Sequence, residues 1–203
     1  TQRGLQIVVH ADHAGVDNAH VHARLNGVVQ EHGVDGFAHR VVAAEAEGDV
    51  GHAAADLGTD IHASIQSFYE GQTSDKHQDH VKGCVSALQE YFGHQAWVAE
   101  RSFAHEIGFG GKCDLHAVNL VVDIKTKDFT DPEKVDAYDE HMMQLSAYRV
   151  GLGMPSARCA NIFVSRTVPG LVKIIEWDQK DLERGWQMFH ALLTFWQTKN
   201  QHR

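Results

Sequence analysis

Three side chains in the second half of the chain have the types and spacing to act together on one small, highly charged group. Asp123 and Lys125 stand two apart in Val121-Val122-Asp123-Ile124-Lys125-Thr126-Lys127, a run with the β-branched composition of a strand. Successive strand side chains alternate faces, so acid and base share one face while Val122 and Ile124 enter the opposite, apolar layer. Asp114 closes the preceding segment Gly110-Gly111-Lys112-Cys113-Asp114. If that segment pairs with the second as a hairpin through Ala117–Asn119, its carboxylate reaches the same place. Two carboxylates and the backbone carbonyl of Ile124 are the hard oxygen ligands that Mg²⁺ or Mn²⁺ takes. Lys125 can orient an attacking water and stabilise developing negative charge, and a cation nearby keeps both acids ionised at neutral pH. The chemistry that needs this set is phosphodiester hydrolysis, where water must lie in line with phosphorus while charge on phosphate and leaving oxygen is neutralised.

These residues need a scaffold, and the remaining pattern supplies one. Ile61, Ile65 and Phe68 recur at helical spacing from about Asp56 until Gly71, and Val81, Val85, Leu88 and Phe92 do the same over about His80–Phe92. Three short β-rich runs follow, Ala96–Phe103, Glu106–Asp114 and Leu120–Thr126. Asp131-Pro132 has the form of an N-cap with proline at the first helical position. From there Val135, Tyr138, Met142, Leu145, Tyr148 and Leu152 predict one amphipathic helix ending at Gly151 and Gly153. Ala160–Arg166 and Leu171–Trp177 read as a strand pair around Pro169-Gly170. Asp178 caps a last helix whose Leu182, Trp186, Phe189, Leu193 and Trp196 form one stripe. The order predicts an α/β fold, a mixed central sheet flanked by helices. Residues 1–51, rich in Ala, Val and His, are expected to be a helical and irregular N-terminal region, and residues 52–203 the core, within one compact unit.

With 203 residues, 43% hydrophobic and 22% charged, the chain can bury one substantial core. No run approaches the roughly 18–20 apolar residues of a membrane helix, and the first residues lack the order of a signal peptide, so no membrane association and a cytoplasmic location are expected. The three cysteines, Cys84, Cys113 and Cys159, are too few for a disulfide framework or a four-thiolate site and are expected as buried, reduced thiols. A net charge of −9 argues against a broad electrostatic footprint for nucleic acid, so any such partner must be held locally.

Taken together the motifs resemble the PD-(D/E)xK nuclease superfamily, and within it the RecB-like exonuclease branch. The matching pieces are Gly58-Thr59-Asp60-Ile61-His62, Gly111-Lys112-Cys113-Asp114, Val121 to Lys127, and Gln144-Leu145-Ser146-Ala147-Tyr148, covering about residues 52–177. The resemblance implies a restriction-endonuclease-like core in which His62, Asp114, Asp123 and the Ile124 carbonyl ligate one or two Mg²⁺ or Mn²⁺ ions and Lys125 is the catalytic lysine. Gln144 and Tyr148, four apart and therefore on one helix face, would hold the nucleic-acid backbone or the active-site strand. Glu100 would be the upstream acid, with Glu106 as its competitor. The activity implied is exonucleolytic hydrolysis of linear DNA, leaving 5′-phosphate and 3′-hydroxyl ends, in recombination or repair, alone, as a homo-oligomer or beside other subunits. The alternative is a catalytically idle nuclease fold serving as a DNA-binding or assembly subunit. Members of this branch that carry an iron–sulfur cluster use four cysteines; this chain has three, and no cluster is expected.

Plainer readings stand beside these. Asp123 and Lys125 could be an ordinary exposed ion pair worth roughly 0–1 kcal/mol, and His62 a helix-surface histidine. The other motifs in their expected order weigh against both. The 16 histidines, many of them early, read as compositional bias on a solvated surface, and Trp186 and Trp196 as core before they are stacking platforms. Removing the amine, as in Lys125→Ala, is expected to abolish cleavage and leave folding largely intact.

Overall fold

A computed structural model of the chain describes residues 6–8, 22–24, 49–72 and 74–201, with side chains described from Asp56 onward. Its elements run β1 (Gln6–Val8), β2 (His22–Arg24), α1 (Asp49–Tyr69), α2 (Gln78–Phe92), β3 (Val98–His105), β4 (Phe109–Ala117), β5 (Leu120–Lys127), α3 (Asp139–Gly151), β6 (Arg158–Ser165), β7 (Val172–Trp177) and α4 (Gln179–Lys199). The strands make one mixed sheet, antiparallel except where β5 and β6 run parallel through the α3 crossover. This is the α/β architecture that the helix and strand periods predict.

The two sheet faces are covered by different helix pairs because β5 and β6 alternate. Val122 and Ile124 of β5, with Ala160, Ile162 and Val164 of β6, meet Ile61 and Ile65 of α1 and Val81, Cys84 and Leu88 of α2. Val121 and Cys159 face the other way, onto Leu145 and Tyr148 of α3 and Leu182 of α4. Phe189 and Leu193 continue that stripe of α4 against Phe109 and Ala147. Asp178 caps α4, accepting from the Asp181 N–H at 2.7 Å. The three cysteines are buried free thiols, and burial pushes Cys84 and Cys159 up to about 12.

Several expectations need correction. Of residues 1–51, expected helical and irregular, Gln6–Val8 and His22–Arg24 are strands, paired with each other and, at Val8, with Gly110 of β4; α1 already begins at Asp49. The rest of that region, with the side chains of its histidines, lies outside the described residues. Phe68 is 48% exposed, because Ile61 and Ile65 continue one turn further to Tyr69, which packs on the core in its place. The single helix expected from Asp131 is divided. Asp131 accepts from the Glu133 N–H at 3.0 Å and caps only the 3-10 turn Pro132–Lys134. Val135 then turns extended, φ −94° and ψ 117°, to bury its side chain with Phe129 and Phe163, and α3 starts anew at Asp139.

At the centre of the sheet β4 changes partners. Its pairing with β5 runs Ala117↔Leu120, His116↔Val121 and Leu115↔Val122 across the expected hairpin, whose loop residue Asn119 has φ +55°. Beyond Leu115 that ladder ends, and at Gly110 the strand is paired with β1 instead. Asp114 sits where the ladder opens.

Candidate active site

The opened ladder and the α3 face of β5 bring the chemical side chains together. Asp123 and Lys125 share the face turned to α3, as strand alternation requires. The Lys125 ammonium donates to Asp123 Oδ1 at 2.9 Å and lies 2.8 Å from Oδ2, and it donates again to Gln144 Oε1 at 3.0 Å. Gln144 Nε2 in turn donates to Tyr148 Oη at 2.9 Å, one helical turn further on. From the other side Asn161, the β6 residue in register with Asp123, donates to Asp123 Oδ2 at 2.9 Å. Trp177 Nε1 fixes that amide by donating to Asn161 Oδ1 at 2.7 Å. Asp123 is only 2% exposed, so its charge is sustained by this network and not by water. Burial pushes its carboxyl above the ordinary value; Lys125 opposes that shift and the nearby Asp114 charge adds to it.

Asp114 is held differently. Its Oδ2 accepts from the Ile124 N–H at 2.7 Å and lies 3.2 Å from His62 Nε2. The sheet's alternation breaks here: Cys113 packs on the α3 side and Leu115 on the α1 side, although they are two residues apart. Directly across on β3, in the register that pairs Ala99 with Leu115 and Arg101 with Cys113, stands Glu100, with φ +54°. A positive φ at a non-glycine residue is a strained backbone that needs a compensating contact, and Glu100 forms an ion pair with Lys112. Burial acts upward on Asp114, but His62, Lys125 and the Ile124 N–H outweigh it and hold its carboxyl below the ordinary value. Burial likewise acts downward on His62, yet Asp114, Asp123 and Glu100 raise it overall. Two neighbouring acids thus have pKa values displaced in opposite directions, a pattern common where chemistry is done.

His62 arrives from α1 by way of Gly58. A Cβ built on Gly58 would lie 2.5 Å from Thr126 Oγ1 and 3.5 Å from Arg166, so the helix crosses the end of β5 at a distance only glycine allows. His62, four residues on, is on the same side of the helix.

The structure therefore gathers His62, Glu100, Asp114, Asp123, Ile124, Lys125, Gln144 and Tyr148 at one place. Glu106, the competitor of Glu100, is exposed in the β3–β4 turn, eight residues from Asp114 along the chain and far down the hairpin from it. Of the two roles expected of Gln144 and Tyr148, nucleic-acid contact or support of the site strand, the contacts present are those of the second: they are 4% and 3% exposed, and they hold Lys125 of β5. Asn161 and Trp177 are functional neighbours that sequence reasoning missed; Asn161 stands in an otherwise apolar strand, Cys159-Ala160-Asn161-Ile162-Phe163, and a lone amide there is the signal that could have found it.

The donor chemistry suits a hard cation. Asp114, Asp123 and the Ile124 carbonyl offer oxygens, and His62 an imidazole. That carbonyl lies on the β4-facing edge of β5, past the last β4–β5 pair, because Asn119 and Lys127, of opposite parity, give their carbonyls to β6. Among the described residues no group of three or more His, Cys, Asp and Glu side chains is already arranged to hold a metal; the acids are closed onto Lys125, Asn161 and His62 instead.

Comparison with known proteins bears on the fold. No protein-family model matches the chain, and no curated protein matches it. Among solved structures, it is similar to a crystal structure from Eubacterium rectale described as a "Putative exonuclease", with a TM-score of 0.50 and 12% identity over 79% of this chain and 71% of that one. A second, SSO0001, has 18% identity over 68% of this chain and 60% of that one, with a TM-score of 0.34. At such identities the likeness is one of fold, and the fold it supports is the mixed sheet with flanking helices described above.

Proposed function

We propose that this chain is a metal-dependent nuclease that hydrolyses phosphodiester bonds of linear DNA as an exonuclease. The observation that carries the reading is the buried relay Asp123–Lys125–Gln144–Tyr148 set beside Asp114 and His62. Resemblance of the four motifs to RecB-like exonucleases supports it, as does the fold likeness to a structure described as a "Putative exonuclease".

Asp114, Asp123, the Ile124 carbonyl and His62 would hold one or two Mg²⁺ or Mn²⁺ ions. Such an ion supplies neutralisation of phosphate charge and a more acidic water. The chain's own residues then divide the remaining work. The Lys125 ammonium, fixed between two acceptors, would orient the attacking water through a donated hydrogen bond and stabilise the negative charge that develops on the phosphate oxygen. Gln144 keeps the ammonium from swinging back fully onto Asp123, and Tyr148 keeps Gln144 in the orientation that presents its oxygen. Asn161 and Trp177 hold the Asp123 carboxylate in one rotamer. Glu100, opposite Asp114, would serve as the further acid. The products would carry 5′-phosphate and 3′-hydroxyl ends.

A second reading is a catalytically idle subunit that binds DNA or assembles with a nuclease. It is favoured by the way Lys125, Asn161 and His62 already satisfy the two acids. Digestion of labelled linear and circular, single- and double-stranded DNA with Mg²⁺, Mn²⁺ or chelator decides. The nuclease reading expects metal-dependent loss of linear DNA while circles persist; binding without cleavage under every condition leaves the idle subunit.

A further inference from the structure

Tyr138 is 40% exposed, yet it is held firmly. Its N–H donates to His141 Nδ1 at 3.1 Å at the start of α3, and its ring lies against the His141 ring with centroids 5.6 Å apart. His141 packs edge-on against Phe163 at 5.7 Å, and Phe163 is the β6 residue in register with Lys125. An aromatic file therefore rises from beside the site lysine to the surface. Lys127, two residues beyond Lys125 and on the same strand face, rests its ammonium 5.4 Å from the Tyr138 ring centroid.

We propose that Tyr138 and Lys127 form a nucleotide platform in which an unpaired base stacks on the ring while the ammonium moves to the adjoining phosphate, making single-stranded DNA the substrate class. The inference rests on the nuclease reading and adds the form of DNA to it. An ammonium over an exposed ring is weakly held, so a base displaces it at little cost. Stacking tolerates any sequence because every base has a π-face, which suits a nuclease that must move along a strand. A base inside a duplex is covered on both faces by its neighbours and cannot meet the ring. With a net charge of −9 the chain has little long-range attraction for DNA, so affinity falls to local contacts of this kind.

The test uses the full chain with Mn²⁺ and labelled DNA, as a single strand and as a duplex with hairpin-closed ends and one nick. Wild type is compared with Tyr138→Ala, Tyr138→Trp and Lys127→Gln, each first checked for an unchanged thermal transition. For the single strand, Tyr138→Ala should raise KM about tenfold with kcat within about twofold, and Tyr138→Trp should restore KM. Lys127→Gln should raise KM severalfold and lessen its dependence on salt. Unchanged KM in Tyr138→Ala, failure of tryptophan to restore it in a folded variant, or equal action of wild type on the two DNAs would overturn the platform. If wild type cleaves neither DNA with Mn²⁺ or, in a repeat, with Mg²⁺, the nuclease reading fails by itself. Fluorescence anisotropy of the labelled single strand in metal-free buffer then still decides the platform: weaker binding to Tyr138→Ala supports it, and equal binding overturns it.

Discussion

Asp123 and Asp114 lie on neighbouring strands, yet the chain surrounds them in different ways. Asp123 is 2% exposed and is gripped from β5, β6 and, through Lys125 and Gln144, from α3. Asp114 has a side chain 18% exposed, sits where the β4–β5 ladder has ended, and is met by one backbone amide and by a histidine that is itself 19% exposed. One half of the site is an interior polar network, satisfied atom by atom; the other is a rim where a strand has let go of its neighbour. A buried network fixes geometry and is intolerant of a missing member, whereas a rim can rearrange to admit a ligand. The difference suggests which residues set the shape of the site and which adapt to what enters it.

The sharpest way to break the comparison is to remove the amine. Lys125→Met should lower cleavage by roughly a thousandfold or more. It should also cost about 3 kcal/mol in urea denaturation at neutral pH, because Asp123 is left buried without its counter-charge. This revises the sequence-based expectation of largely intact folding. Asp123→Asn/Lys125→Met should recover most of the stability and none of the activity. A single variant as stable as wild type would show that the Asp123 half is not the rigid one.

The rigid half should also show in acid. Burial, with Lys125 and Lys127 nearby, lowers His141 from its ordinary 6.5 to about 4. The folded state then binds fewer protons than the unfolded one in that interval, so this stability is complete above the unfolded pKa and is lost as pH falls toward the folded one. The loss amounts to at most about 3 kcal/mol. His141→Asn keeps an acceptor for the Tyr138 N–H, and in metal-free buffer it should flatten the pH dependence of unfolding between those values by nearly one proton. Parallel curves for the two proteins would refute this.

A smaller effect is expected where the network is anchored. Asn161→Leu removes a donor from Asp123 and strands the Trp177 N–H, which should cost about 2 kcal/mol. It should raise the Mn²⁺ concentration for half-maximal cleavage by about 10–100-fold. The smallest change in stability belongs to the rim. His62→Gln should cost under about 1 kcal/mol in metal-free buffer. Because His62 is raised when folded, its ion pair with Asp114 contributes below the unfolded pKa and is lost as pH rises through the folded one. The gap between the two proteins should therefore close at alkaline pH, while the metal requirement of the variant stays elevated. A large loss of stability in His62→Gln would place both acids in one rigid unit.

Much of this was legible from local pattern. The period of two placed Asp123 and Lys125 on one face, and the two-residue loop before Leu120 brought Asp114 back toward them. The spacing of four joined Gln144 to Tyr148. What local pattern could not carry was depth and partnership across the sheet. Gln144 has the type of a substrate contact, and its burial under Lys125 follows only from α3 lying on β5. Asn161 meets Asp123 through a parallel pairing closed by a crossover of thirty residues, a register that no turn signal fixes. The break before Asp139 was hidden because Val135 and Tyr138 keep the helical spacing while burying or exposing their side chains from extended backbone.

Gly58 has a consequence beyond close packing. Glycine inside a helix weakens it by roughly 1 kcal/mol relative to alanine, and a repair by substitution would be the obvious route to a sturdier α1. At this crossing the added methyl would meet Thr126, a stiff β-branched residue on the active-site strand, and lever the helix outward with the imidazole it carries. Sturdiness and reach are opposed at this one position, and α1 gives up some of the first so that a ring on its next turn can touch an acid in the sheet.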